Sequence, residues 1–468
     1  MRPAENPQLT EAAPALADAE GTRLSTAVSA RQRIAVIGAG WAGCAAAVAA
    51  TRAGHAVTLF EAAAEPGGRA RNVSLPDGLC LDNGQHILIG AYSACLQLMQ
   101  ELGVNLPDAL LRLPLDLRTP DGAGLAMPFP AGHPQIDVLR AVVNAGVWNW
   151  RERFSLLRTA ARWQWQGFKA PDSASVLDAC RGLHPRILQD LVTPLCVSAF
   201  NSLPESTSGA VFLRVMQDAL LAERGGSDVL IARTPLGNLL PRPAMRWLQD
   251  QGASVHCGLR VRSLTRTGDG NWHLDCAADD DTLPLPQFHQ VILAAPAREA
   301  ARLTSGISPS WSAMAQSLQH MPIATTYAWC ENAAENLPPM RALRDTPERP
   351  AQFVFCHKDR LRPTPAGRTA RLLAFVTSCC DLERETLEQA IRLQAQEQLG
   401  LKSLDIIATL IDRRATFVCS PGLQRPPASI AHGLHACGDY VEGPYPATLE
   451  GAVRSGLAAA AALATSIP

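Results

Sequence analysis

A short apolar run, Arg33-Ile34-Ala35-Val36-Ile37, breaks directly into Gly38-Ala39-Gly40-Trp41-Ala42-Gly43. No other stretch restricts the fold as strongly. The run reads as a buried parallel strand, and the Ala-rich residues after it read as a helix that ends at Gly54. A second strand, His55-Ala56-Val57-Thr58-Leu59-Phe60, runs into Glu61. Gly38 lets the chain turn tightly out of the strand. Gly40 leaves room for a pyrophosphate against the backbone, and Gly43 lets the helix pack closely on the sheet. The helix N-terminus then offers free N–H groups and a partial positive charge to phosphates. Glu61 lies 23 residues beyond Gly38, near where a carboxylate accepts hydrogen bonds from ribose hydroxyls and disfavours a 2′-phosphate. A glycine turn alone is weak evidence. With the strand, helix and acid around it, it predicts a dinucleotide-binding βαβ unit.

Other segments extend this unit. Glu65-Pro66-Gly67-Gly68-Arg69-Ala70 follows soon after Glu61; taken alone, it is also explained by a Pro-Gly turn with a solvated arginine. Asp82-Asn83-Gly84-Gln85-His86 is compatible with a plain Asx turn. Residues 241–252 read as a helix, 253–264 as a strand, and 290–296 (QVILAAP) as another. Near the C-terminus, Gly433-Leu434-His435-Ala436-Cys437-Gly438-Asp439 reads as a strand ending in Gly-Asp. Tyr445-Pro446-Ala447-Thr448-Leu449-Glu450-Gly451-Ala452 then opens a helix running to about Ala464.

Together these segments resemble the flavin amine oxidase, protoporphyrinogen oxidase and phytoene desaturase superfamily, over roughly residues 33–463. The resemblance implies an α/β fold: a glutathione-reductase-like Rossmann FAD domain with an inserted α+β substrate domain. It implies FAD as cofactor. Gly67, Gly68 and Arg69 would lie along the pyrophosphate, where the fork of Arg is planar and permanently charged. The backbone of Val261 would meet the adenine, and Gly438 and Asp439 the ribityl phosphate region. The helix after Thr448 would point its N-terminus at the flavin ring. The 82–86 segment would lie close to that ring. Amine oxidases of this superfamily commonly carry a tyrosine two residues before the helix glutamate. Thr448 stands there, ahead of Glu450, which counts against amine oxidation.

Several stretches look like the squalene-associated branch, the hydroxysqualene dehydroxylases of bacterial hopanoid synthesis: DNGQHILIGAY (82–92), PLCVSAFN (194–201), LLPRPAMRWLQDQGA (239–253), RRATF (413–417) and GDYVEGPYPATLEGAVRSG (438–456). That branch implies reductive loss of an allylic hydroxyl from an apolar isoprenoid. It also implies enzymes of squalene-synthase type upstream. The chemistry needs an acid for the leaving oxygen and a pocket that excludes water. His86 is the first candidate acid, with a structural histidine bonded to backbone as the competing explanation. Glu442 and Tyr445 are weaker candidates. A carotenoid-type desaturase shares the same motifs. An isoprenoid carrier without flavin is the non-catalytic alternative, and the retained glycines, Arg69 and Gly438-Asp439 argue against it.

Composition sets the remaining bounds. A net charge of −1 gives no reason to expect a nucleic-acid partner. Thirteen cysteines without repeated CxxC spacing fit reduced thiols in a cytoplasmic protein, and no metal site is expected. For the adjacent Cys379 and Cys380, two buried strand cysteines are the simpler reading over a redox pair. Residues 1–31 read as a disordered tail. No stretch approaches the roughly 20 apolar residues of a membrane span. Trp148, Trp150, Trp163 and Trp165, with Arg151, Arg158 and Arg162 on one helical stripe, fit either a peripheral membrane face or an amphipathic helix packed on the substrate domain. The expected domains are FAD-binding at 32–90, 240–300 and 425–468, and substrate-binding at 91–239 and 301–424.

Overall fold

Strand β1 (Arg33–Ile37) is buried along nearly its whole length, as expected of a strand flanked on both sides and covered on both faces. In this computed structural model, which describes residues 31–277, 285–331, 337–364 and 367–463, β1 lies inside a six-stranded sheet. The other strands are β2 (Ala56–Glu61), β3 (Ser254–Cys257), β4 (Gln290–Leu293), β5 (Ser429–Ala431) and β6 (Leu434–Ala436). The order is β5-β6-β4-β1-β2-β3. All neighbours pair in parallel except β5 with β6. Helix α1 (Trp41–Arg52) returns the chain from β1 to β2 and buries Ala42 to Val48 without a break. The sheet therefore gathers strands from the start, middle and end of the chain. Nearly all of the tail expected over residues 1–31 lies outside the described residues.

The strand expected over 253–264 is two strands. The chain turns at Gly258, whose φ is +74°. Ser254–Cys257 joins the parallel sheet, and Arg260–Arg266 pairs instead with Trp272–Ala277 in a separate ribbon. Continuous apolar and polar residues concealed the break, because only the glycine carries the left-handed turn.

The intervening segments build a second layer. A three-stranded sheet joins Ile87–Ile89, Val229–Ala232 and Leu110–Leu113, and a five-stranded antiparallel sheet is ordered Met340–Ala342, Phe353–Pro363, Thr369–Ser378, His320–Cys330, Asp405–Phe417. Helices α2 (Ser93–Glu101), α3 (Pro134–Val143) and α4 (Trp150–Trp165) belong to this part of the chain. Asn149 caps α4: its side chain accepts from the N–H groups of Arg151 and Glu152, and the Glu152 carboxylate accepts from Asn149 N at 2.7 Å. One apolar cluster runs from Leu81 through Trp148, Trp163 and Phe212 to Tyr327, Phe353 and Phe355, so α3, α4 and the antiparallel sheet share a core, whereas α2 buries Cys95, Leu98 and Met99 in the cluster around α1. Cys379 and Cys380 are unbridged and lie just beyond strand Thr369–Ser378.

The chain closes with α5 (Leu449–Ala462), capped by Thr448, whose hydroxyl accepts from Gly451 N at 2.9 Å. It packs flat on α1. A Cβ on Gly456 would lie 2.1 Å from the Ala42 carbonyl oxygen, so no larger residue permits this approach.

Candidate cofactor and active site

Gly38 takes φ +108°, and a Cβ there would lie 2.6 Å from the Ala294 carbonyl oxygen. A Cβ on Gly43 would lie 1.8 Å from Gly38 O. Both glycines are therefore required by packing. Gly40 and Gly68 serve a different purpose. Gly67 N donates to Ala39 O at 2.8 Å, and Gly40 bridges Gly67 in parallel. A Cβ on Gly68 would come within 3.3 Å of the Gly40 Cα. The second glycine turn is thus laid on the first, and neither puts a side chain between them. No side chain caps the N-terminus of α1 at Gly40, so its orphan N–H groups remain available to an anion. Glu61 closes the cradle on one side. Its two oxygens accept from Ala39 N at 2.7 Å and Ala63 N at 2.8 Å. Leu259 N donates to Glu61 O at 2.9 Å, which brings the strand carrying Val261 to the same end. A glycine turn, an uncapped helix and a carboxylate at the end of the second strand together fit a dinucleotide with a pyrophosphate bridge.

The C-terminal motif meets this loop. Arg69 Nη2 donates to Asp439 Oδ1 at 2.5 Å and Nη1 to Ala415 O at 2.7 Å. Asp439 is buried, so the arginine neutralises a charge that would otherwise be costly; the aspartate in turn raises the Arg69 guanidinium above its ordinary range. Gly438 N donates to Ser455 Oγ at 3.1 Å, and Ala447 N to Asp439 O at 3.2 Å. These bonds fix the Gly-Asp turn to α5 and place Thr448 next to it. Ala447 itself is held at φ +56°, a left-handed conformation that costs a non-glycine residue about 1–2 kcal/mol. The fully buried Glu450 accepts from Ala94 N, Cys95 N and Arg454 Nε at 3.0, 2.9 and 2.6 Å. It caps α2 and ties the two segments together.

Segment 82–86 spans the two layers. Asn83 Nδ2 donates to Arg69 O at 3.1 Å. Gln85 N donates to Thr325 Oγ1 at 3.1 Å, and His357 Nε2 to Gln85 Oε1 at 2.9 Å. Tyr327 OH donates to Asp82 O at 3.1 Å. His86 Nδ1 donates to Gly84 O at 2.9 Å, which leaves Nε2 as the basic nitrogen. Burial, with Arg69 adding to it, lowers the His86 pKa against the opposing pull of Gly84 O. Burial lowers His357 to about 4, with Arg360 assisting. Burial pushes the Asp82 carboxyl up to about 6, although Leu236 N–H and Arg360 oppose it. Of the other acid candidates, Glu442 is exposed. Tyr445 donates to Asp218 at 2.9 Å, and burial raises its phenol. Among the described residues, no group of three His, Cys, Asp or Glu could hold a metal ion.

Sequence reasoning assigned no role to Asn201, Thr325 or His357. Asn201 ends the helix Thr193–Phe200 at φ +49°. Its amide donates to Met321 O, Pro322 O and Thr416 Oγ1, and its oxygen accepts from Cys379 N at 2.7 Å. The available signal was an asparagine just after an apolar helical run, a common left-handed stop. Thr325 and His357 lie within strands and carried no signal.

Residues 41–464 match the flavin containing amine oxidoreductase family. The chain is 30% identical to a hydroxysqualene dehydroxylase of Rhodopseudomonas palustris, over 91% of this chain and 96% of the relative. It is 26% identical to one of Sinorhizobium fredii, over 92% and 97%. Its fold is similar to that of an oxidoreductase from Methanosarcina mazei, with a TM-score of 0.68, 17% identity and coverage of 91% and 99%. The chain therefore belongs to the flavin containing amine oxidoreductase family.

Proposed function

We propose that this protein is an FAD-dependent hydroxysqualene dehydroxylase. The observation that carries this reading is the near end-to-end relationship with the hydroxysqualene dehydroxylases of R. palustris and S. fredii. The site residues are consistent with it. Gly40, Gly67, Gly68 and the N-terminus of α1 would hold the FAD pyrophosphate, Glu61 the ribose, and the Val261 backbone the adenine. Arg69 with Asp439 and the N-terminus of α5 would hold the flavin half. Bound in its reduced form, the flavin supplies the hydride that replaces the hydroxyl. The conversion exchanges one C–O bond for a C–H bond and releases water, so the chain must deliver one proton to the leaving oxygen.

His86 and Asp82 are the first proton candidates in this reading. A carboxyl with a pKa of about 6 remains partly protonated near neutral pH, whereas His86 rests neutral and would have to be protonated first. The loop that carries both lies against a buried cluster containing Leu81, Tyr327, Phe353 and Phe355. Such surroundings suit an apolar substrate and deny water access to an allylic cation. Thr448, engaged as the helix cap, replaces the aromatic ring expected of an amine oxidase.

The test is anaerobic incubation of the purified yellow protein with reduced flavin and hydroxysqualene, followed by mass spectrometry of the organic extract. Squalene formation, abolished by Asp82→Asn or His86→Asn, is expected. Flavin binding without squalene would overturn the assignment and leave a carotenoid-type desaturase. A protein that cannot be loaded with FAD would overturn the enzymatic reading altogether.

A further inference from the structure

The tryptophan and arginine stripe does not form a single outward face. Trp148 and Trp163 are buried, and their indoles donate to Asp190 and to Ala179 O. Trp150 and Trp165 are exposed. A different surface emerges around Trp150. Helix α3 buries Asp137, Ala141 and Val142 and turns Ile136, Leu139 and Val143 to solvent. These lie at i, i+3 and i+7, one stripe of a helix. The chain continues through exposed Val147 to Trp150 and Phe154 on the first turns of α4, which are 68% and 66% exposed. Arg153 binds the two helices together: it donates to Val143 O and Ala145 O at 2.7 and 2.8 Å and lies over the Trp150 ring. A surface of this kind differs from the scattered exposed apolar residues that need no explanation.

The outward charge carried by this segment itself has one sign; of the exposed carboxylates that flank it, Asp121 and Asp178 are paired with Arg344 and Arg181. Between Asp121 and Asp172 the sequence holds two acids, Asp137 and Glu152, against Arg140, Arg151, Arg153, Arg158, Arg162 and Lys169. Both acids are buried, Asp137 accepting from Gly132 N and Glu152 within the α4 cap. The exposed surface of this segment is therefore apolar and basic, with no outward carboxylate. A sheet of anionic head groups over hydrocarbon complements apolar anchors ringed by arginine.

We propose that the α3–α4 face docks on the surface of an anionic lipid bilayer, with Leu139, Val143, Trp150 and Phe154 entering the head-group boundary and Arg140, Arg151 and Arg158 meeting the lipid phosphates. The contact is peripheral: among the described residues, no helix is long and apolar enough to cross a membrane. This inference does not depend on which substrate the enzyme takes.

The experiment is cosedimentation of the full-length, flavin-loaded protein with unilamellar vesicles of phosphatidylcholine, with and without phosphatidylglycerol. The protein should pellet with the anionic vesicles, far less with the neutral ones, and less as salt is added. Leu139→Ser combined with Trp150→Ser and Phe154→Ser should weaken binding by about tenfold or more, with flavin absorbance and melting unchanged. Arg151→Ala with Arg158→Ala should remove much of the salt dependence. If the protein stays in the supernatant with anionic vesicles, or the triple variant pellets equally well, the proposal fails. It also fails if the protein is a dimer that ignores vesicles and the triple variant is a monomer. That result would make the face a self-association surface.

Discussion

Replacing Asn201 with alanine tests whether the loop at residues 82–86 is held from a distance. The side chain is 2% exposed and makes four hydrogen bonds, to Met321 O, Pro322 O, Thr416 Oγ1 and Cys379 N. Three of those partners are backbone groups, of which Pro322 O keeps Cys380 N as a second donor at 3.3 Å. At about 1 kcal/mol for each bond, and about 1 kcal/mol more for alanine in a left-handed conformation, the expected loss is roughly 4–5 kcal/mol. Asn201→Gly removes the same bonds but tolerates the backbone, so it should cost about 1 kcal/mol less. Urea denaturation followed by tryptophan fluorescence measures both. The same strand that Asn201 fastens, His320–Cys330, carries Thr325, which holds Gln85 N. Turnover of Asn201→Ala should therefore fall more than its flavin content. The reasoning is refuted if Asn201→Ala loses less than about 1 kcal/mol, or if the glycine variant is the less stable of the two.

Gly68→Val should abolish flavin retention while far-UV circular dichroism stays native, because its side chain would fill the cradle facing Gly40; bound flavin after gel filtration reports it. Gly456→Val should be more severe. Its Cβ falls 2.1 Å from Ala42 O, so α5 must lift off α1, lowering both the melting temperature and flavin content. Acid sensitivity carries two opposed contributions. His357 has a folded pKa of about 4, below its unfolded value, so its stabilising effect is full above about pH 6.5 and lost as pH falls towards 4, about 3 kcal/mol at most. Asp82, raised to about 6, adds stability as pH falls over nearly the same window. His357→Gln should therefore be less destabilised by acid than the parent, and Asp82→Asn more so, in urea titrations at pH 4.5 and pH 7 (roughly the two sides of the window).

The half of the site that could be read in sequence is the half made by the backbone. Gly38, Gly40, Gly43, Glu61, Gly67 and Gly68 announce themselves because tight turns and close backbone approach restrict residue type within a few positions. Arg69 and Asp439 were each recognisable, but their ion pair was not, since nothing local records that residues 370 positions apart meet. His86 is a candidate through its segment. Its depressed pKa comes from burial and Arg69, which are tertiary facts. The break at Gly258 was missed because strand residues continue on both sides of it. Thr325, His357 and the contacts of Asn201 come from an antiparallel sheet whose register no periodicity fixes.

The position of the last strand in the six-stranded sheet bears on how the protein is made. β6 pairs with β4, and β4 with β1, while α1 waits for α5 to cover it through Gly456. Both partners of Arg69, Ala415 and Asp439, also come late in the chain. On the ribosome, the first glycine turn is synthesised early yet lacks these neighbours until nearly the whole polypeptide has emerged. Cofactor capture is thereby deferred to the completed chain, and the apolar face of α1 must be shielded throughout translation. Truncation anywhere before α5 should leave a colourless protein that depends on chaperones, even though every residue of the glycine turn is present.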